Sequence, residues 1–188
     1  MKIGLVGEAP NDTRAIQNLL GRRYRHLSFV TLLNRINGSM LDNKKAINQL
    51  LSVEFEEQKP DIVIFIRDLD SHEKDKKKLQ EREDIFIHSN RKVSNTGIFL
   101  LNIYEIEALI LADISTFNKK YNCNIEMFED VMKVPDPKGV LLKATRGTID
   151  RFNVSHNPDL FKLLNFDTVK QNCRYFSTFI EKFDKALT

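Results

Sequence analysis

The chain has 188 residues, 41% of them hydrophobic and 29% charged, with 7 Gly, 5 Pro and a net charge of +3. That length suits one domain with a helical appendage, and the composition excludes the disordered and fibrous classes. The mild basic balance, with a sequence pI near 8.8, permits a polyanionic partner without demanding one.

Residues 2–6 (KIGLV) read as a first strand ending at Gly7. The stretch NDTRAIQNLLGRR carries Ala15, Ile16, Leu19 and Leu20 at helical spacing, with Asn11 or Asp12 as N-cap and Gly21 as stop. LSFVTLL (27–33) reads as a second strand, and KKAINQLLSVEF (44–55) as a helix with Ile47, Leu50, Leu51 and Phe55 on one face. Lys59-Pro60 breaks that helix, and DIVIFI (61–66) forms a third strand. The charged segment 71–84 is expected to be helical and mostly solvated. IFIHSNRKVSN (85–95) is open between a further strand with a polar loop and other structure. GIFLLNIYEIEALILAD (97–113) begins as a strand and passes into an apolar helix near Glu105. From residue 114 the pattern turns to short helices and loops. Continuous apolar strands alternating with helices predict an α/β fold with a parallel sheet covered on both faces. We expect a core over 1–113 and a helical part over 114–188 packed on it, together one domain.

No apolar run approaches the roughly 18 to 20 residues of a membrane span, and the N-terminus reads as a strand rather than a signal peptide. Cys123 and Cys173 lie far apart, without a CxxC motif. A reduced, cytoplasmic protein fits best, with one disulfide still open.

Ligands in open α/β sheets gather beyond the carboxyl ends of the strands. Three acidic clusters lie at such ends: Glu8, then Asp68 with Asp70, then Glu105 with Glu107. Crowded carboxylates raise one another's pKa unless a cation intervenes, and a hard ion such as Mg²⁺ takes carboxylate oxygens. Convergence of the three clusters therefore favours a metal site. Read locally, Asp68 and Asp70 serve equally well as turn residues, Asp12 as an N-cap, and Asp113 as a helix end. Glu105 and Glu107 are two apart, so on a helix one faces the sheet end and the other solvent.

GLVGEAPND lacks GxxxxGK[ST] and GxGxxG, which argues against a P-loop or dinucleotide site. The four His show no zinc spacing, and neither Cys sits in a nucleophile motif. Lys138, Lys143, Arg146 and Arg151, and the cluster Arg22, Arg23 and Arg25, are candidates for phosphate contact or a solvated surface. The late aromatics Phe161, Phe166, Tyr175, Phe176, Phe179 and Phe183 recur at near-helical spacing and read as core.

The acids after the first and third strands resemble the toprim domain of topoisomerases, primases and OLD-type nucleases, whose pattern is a Glu after strand one and a D-x-D after a later strand. VGE supplies Glu8, and IRDLD supplies Asp68 and Asp70. More closely, the chain is similar to the toprim-like family called domain of unknown function 4276. That family shows an E-G-x-T-E loop, an E-x-E-A-W-x-x-A-D helix, a D-P-K segment, and a late Cys before an aromatic-rich helix. This chain reads E-A-P-N-D at 8–12, E-I-E-A-L-I-L-A-D at 105–113, D-P-K at 136–138 and C-R-Y-F-S-T-F at 173–179. It departs at Ala9, Asp12 and Leu109, and Asp12 still offers a carboxylate.

The resemblance implies a toprim-like (Rossmann-like) sheet and a Mg²⁺- or Mn²⁺-dependent nuclease acting on DNA or RNA. Asp68, Asp70, Asp12 and Glu107 would be metal ligands, and Glu8 a ligand or general base. Lys138 would neutralise developing charge, and Lys143 and Arg146 would bind substrate. The implied setting is bacterial or phage conflict, alongside an ATPase partner protein. The rival expectation is a non-catalytic module of the same fold that binds nucleic acid or protein.

Overall fold

A computed structural model describes residues 1–33 and 44–188. Its centre is a four-stranded sheet of β1 (Lys2–Val6), β2 (Ser28–Thr31), β3 (Ile62–Asp68) and β4 (Gly97–Asn102). All pairings are parallel and the spatial order is β2-β1-β3-β4. The helices between the strands are α1 (Pro10–Arg23), α2 (Lys44–Gln58) and α3 (Lys76–Asn90). After β4 come α4 (Ala108–Ala112), α5 (Ile114–Tyr121), α6 (Pro137–Ala144), α7 (Asn157–Phe161), α8 (Phe166–Asn172) and α9 (Arg174–Ala186). This is the expected α/β, Rossmann-like arrangement. None of the described helices is long and apolar enough to cross a membrane.

The two-residue period of a strand sorts the apolar side chains between two cores. Ile62, Ile64 and Ile66 of β3, with Ile3 and Leu5 of β1, face the larger core, which runs on through α1 and the C-terminal helices to Phe183. Val63 and Phe65 face a smaller one with Ile47 and Leu51 of α2 and Val93. The same parity places the last two residues of β3: Arg67 follows Phe65 to the smaller side, and Asp68 follows Ile66 to the larger. The register sets Asp68 opposite Asn102 of β4.

β1 feeds β2 on one side and β3 continues the sheet on the other, so the strand order reverses between β1 and β3. Loops leaving neighbouring strands in opposite directions open a crevice at such a switch point. Glu8 and Asp68 stand on its two sides.

Several local expectations change. α1 starts at Pro10 with Ala9 as N-cap, and Asp12 is its third residue. Gly21 does not stop α1, which ends when the Tyr24 N–H donates to Leu20 O at 2.8 Å. Residues 85–90 continue α3, and residues 91–93 form a 3₁₀ turn. The reason is Phe86, which stacks on Phe99 at 4.8 Å and meets Phe65 edge-on at 5.5 Å. One anchor of this kind lets a polar helix lie across the smaller core. Glu105 sits in the turn after β4 rather than in a helix.

The late aromatics are core. Phe176, Phe179, Ile180 and Phe183 form the buried stripe of α9, and Phe161 of α7 is fully enclosed. Tyr24 of α1 packs edge-on to Phe183 and donates its hydroxyl to Asp184 at 2.6 Å. The Asn18 side-chain amide donates to Pro158 O at 2.6 Å, and Arg22 donates to Lys162 O at 2.6 Å. These bonds tie α1 to α7 and the segment after it. Cys123 and Cys173 are free thiols.

Candidate active site: an acidic cluster at the carboxyl edge of the sheet

The loop after β1 turns at Gly7, where a Cβ would lie 2.8 Å from the Thr13 methyl. Only glycine lets the loop approach α1 so closely. Glu8 then reaches across the crevice. Its Oε1 accepts the backbone N–H of Asp68 at 3.2 Å and lies 3.0 Å from Arg67 Nε in an ion pair. Asp12 reaches back to accept the Ala9 N–H at 3.1 Å, one half of a capping box. Both acids lie at the positive end of the α1 dipole, which favours them.

Asp68 accepts a hydrogen bond on Oδ1 from the Asn102 amide at 3.0 Å. The backbone then turns sharply, and Asp70 takes a left-handed conformation with φ 53°. Tyr104, with φ 58°, does the same in the facing loop. The Asp70 N–H donates to Tyr104 O at 3.0 Å, so the two strand-end loops brace each other. This turn carries the Asp70 carboxylate away from the crevice. Asp70 is exposed and accepts Arg82 Nη2 of α3 at 2.8 Å. Arg82 Nε also donates to Asp68 O at 3.0 Å, and Lys78 Nζ to Asp70 O at 2.8 Å. Two cations of the lysine-rich helix thus clamp the loop, rather than merely facing solvent.

Glu107 is buried and accepts Asn157 Nδ2 on Oε1 at 2.9 Å. Glu105 is not turned to open solvent. It accepts the Lys138 backbone N–H at 3.2 Å and its ammonium at 2.6 Å. Lys138 opens α6, whose N-cap Asp136 accepts the Gly139 N–H. Lys143 and Arg146 are exposed further along. Lys143 is five residues beyond Lys138, about 7.5 Å along the axis. Asp113 accepts hydrogen bonds from Ser115, Thr116 and the Asn165 backbone, a structural role at the junction of α4 and α5.

The cluster therefore gathers Glu8, Asp12, Asp68, Glu105, Glu107 and Lys138, with Arg67 behind Glu8, and leaves Asp70, Lys143 and Arg146 outside it. Its electrostatics are those of crowded, dehydrated acids. Burial, then the charges of Asp12, Glu8 and Glu107 against the help of Asn102, drive the Asp68 carboxyl well above its usual range. Burial first, then Glu107 and Glu8, push Asp12 up to about 7, against the Ala9 bond and Lys138. Burial also raises Glu107, and Asn157 resists that. The Glu105 hydrogen bond, with the charges of Glu105, Glu107 and Asp68, raises Lys138.

Glu8, Asp12, Asp68 and Glu107 are each pinned through one carboxylate oxygen. Among the described residues no group of three or more His, Cys, Asp or Glu is arranged as a ready-made metal shell. The donor chemistry nevertheless suits a hard dication, because every side chain offered is a carboxylate. Mg²⁺ takes one or two protein carboxylates and keeps several waters.

Asn102, Asn157, Arg67 and Arg82 were not singled out by sequence. Arg67 had the one local signal, its place in I-R-D-L-D. Asn102 needed the β3–β4 register, and Asn157 lies 50 residues from the acid it contacts.

A family model described as Domain of unknown function (DUF4276) matches residues 8–184, which takes in every member of the cluster. No curated protein and no solved structure matches the chain. Residues from Glu8 to Asp184 thus carry the pattern of one family, and the chain belongs to the domain of unknown function 4276 family.

Proposed function

We propose that the protein is a toprim-like, divalent-metal-dependent phosphodiesterase that cleaves DNA or RNA. One observation carries this reading: carboxylates from the loop after β1, the first turn of α1 and the turn after β4 crowd Asp68 at the end of β3, and three of their charges bear on it. Crowding of that kind is costly in the protein alone and is relieved by a cation. Asp68, with Glu8, Asp12 and Glu107, would hold Mg²⁺ or Mn²⁺, which supplies charge stabilisation for a phosphate oxygen and an activated water.

The chain's own residues have distinct parts. Asn102 and the Asp68 N–H orient Asp68 and Glu8 before any ligand arrives. Lys138, held by Glu105 at the mouth of α6, offers an ammonium to a non-bridging phosphate oxygen. Lys143 and Arg146, exposed beyond it, extend a basic path for the nucleic-acid backbone. Asp70 acts through the Arg82 clamp, fixing the turn that follows Asp68. We place the protein in a reducing cytoplasm, in keeping with its two free thiols, and in a bacterial or phage conflict system with an ATPase partner.

The test is cleavage of single- and double-stranded DNA and RNA by purified protein with Mg²⁺, Mn²⁺ or chelator, beside Asp68→Asn. Metal-dependent cleavage that disappears in the variant is expected. Absence of cleavage on every substrate, with nucleic-acid binding equal in wild type and variant, would turn the reading to a non-catalytic binding module.

A further inference from the structure

Besides Lys138, which pairs with Glu105, the C-terminal helices send a neutral side chain into the acidic cluster. Asn157, the first residue of α7, is 2% exposed. Its Nδ2 donates to Glu107 Oε1 at 2.9 Å, a bond between two buried groups. Its Oδ1 is buried, and among the described residues it has no hydrogen-bond partner. A buried amide with one end unpaired is unfavourable for folding. At this depth a side chain placed for packing alone would be apolar, as neighbouring Leu160 and Phe161 are.

The backbone around Asn157 is held independently of that amide. Asn18 of α1 donates to Pro158 O at 2.6 Å, and the preceding 3₁₀ turn is capped by Asn153 through the Ser155 N–H at 2.9 Å. The amide is therefore presented to Glu107 from a fixed frame. Glu107 itself follows the turn after β4, whereas Glu8, Asp12 and Asp68 are braced from α1, β3 and β4. From the C-terminal part, Lys138 braces Glu105 and Asn157 braces Glu107.

We propose that Asn157 is a positioning residue: its amide fixes the Glu107 carboxylate by one oxygen, and so prepares the other for the cation. The role deepens the metal reading given above and rests on it. Partners of this sort, which hold a ligand rather than the ion, typically change metal affinity about 10- to 100-fold when removed.

The experiment is titration with Mn²⁺ alone of wild type, Asn157→Leu, Glu107→Gln and the double variant, read as Mn²⁺ affinity, together with the metal-free melting temperature of each. Asn157→Leu is expected to weaken Mn²⁺ binding about 10-fold or more and to change the metal-free melting temperature little, since relief of the unpaired Oδ1 offsets the loss of the Glu107 donor. In the Glu107→Gln background the same change is expected to add no further loss, because the two act as a unit. Asn157→Ser, which removes the reach to Glu107 without adding apolar bulk, is measured alongside for the case in which Leu prevents folding, and the same loss is expected. Wild-type affinity in the Asn157 variants, or a loss that adds in full to that of Glu107→Gln, overturns the positioning role alone. A metal-free melting temperature that drops while Mn²⁺ affinity holds assigns Asn157 to folding instead. If wild type itself binds no Mn²⁺, the metal reading falls and takes this role with it.

Discussion

The carboxyl edge of the sheet, where half-buried acids surround buried Glu107, and the fully buried aromatic layer of α9 are built on opposite terms. In the layer, Phe176, Phe179, Ile180 and Phe183 recur at the spacing of one helical face, with Phe179 tilted against Phe176 and stacked on Phe183. Every group there is better off folded. At the edge, Asp12, Asp68 and Glu107 are dehydrated and repel one another. Their hydrogen bonds from Ala9, Asn102 and Asn157 offset only part of that cost. Burial that stabilises marks architecture. Burial that destabilises, held in place by a surrounding frame, is what the proposed cation site requires.

The sharpest way to break this contrast is to neutralise its centre. Asp68→Asn removes the most strongly perturbed charge and keeps the side-chain volume. Metal-dependent cleavage is expected to fall at least about 100-fold, the scale seen when a transition-state charge partner is lost. The metal-free melting temperature is expected to rise, because repulsion with Asp12, Glu8 and Glu107 is gone. An Asp68→Asn protein that melts lower than wild type would place the acid among the stabilising groups, and the contrast would collapse. In the aromatic layer the opposite holds. Phe179→Ala, at 2% exposure, is expected to cost about 3–5 kcal/mol in denaturant unfolding. A loss below about 1 kcal/mol would mean that the layer is not the stabilising half.

The pH dependence separates the same two regions more gently. Asp12 titrates near 7 in the folded protein and near 3.8 when unfolded, with Asp68 and Glu107 also shifted upward. Between those values the folded state holds more protons than the unfolded state, so stability falls as pH rises. The contribution is complete below about pH 3.8 and lost as pH passes about 7. Asp75 and Asp159 are shifted the other way, by a Lys78 N–H and by Lys162 respectively. Their effect ends near their ordinary range, below pH 5. A metal-free melting temperature that declines from pH 5 to pH 8, and a decline that Mn²⁺ abolishes, is expected. A flat or rising curve would contradict the crowding of these acids.

How much of this could be read from residues alone follows from the range of the forces involved. β3 was visible because burial on both faces writes a continuous apolar run, IVIFI, and α2 because its apolar residues recur at helical spacing. Glu8 and Asp68 were visible because a strand end is a local event, and the carboxyl-edge rule needs no more than that. The switch point between β1 and β3 was not, since strand order is set by pairing across 60 residues. Phe86 hid the continuation of α3 because its partners, Phe65 and Phe99, lie on other strands. Glu105 and Glu107 were expected to point one to the sheet end and the other to solvent, but both join the cluster. A helix running through both would split them between two faces, whereas the turn after β4 delivers Glu105 to Lys138 and leaves Glu107 on Asn157.

The smallest expected effect concerns the residue whose role changed most. Asp70 reads in sequence as the equal of Asp68, with only Leu69 between them. A single left-handed residue at φ 53° sends its carboxylate to Arg82 instead. The side chain is 52% exposed, so the ion pair is screened, and exposed pairs contribute about 0–1 kcal/mol. Asp70→Asn is therefore expected to change stability by less than about 1 kcal/mol and to leave Mn²⁺ affinity within about twofold, where Asp68→Asn removes it. Asp70→Gly, which relieves the positive φ while deleting the Arg82 partner, is expected to loosen the clamp without touching the cluster. Lower kcat at unchanged Mn²⁺ affinity is the signature of that loss. If Asp70→Asn instead abolishes Mn²⁺ binding as fully as Asp68→Asn does, both acids serve the ion, and the loop must turn inward when metal is bound.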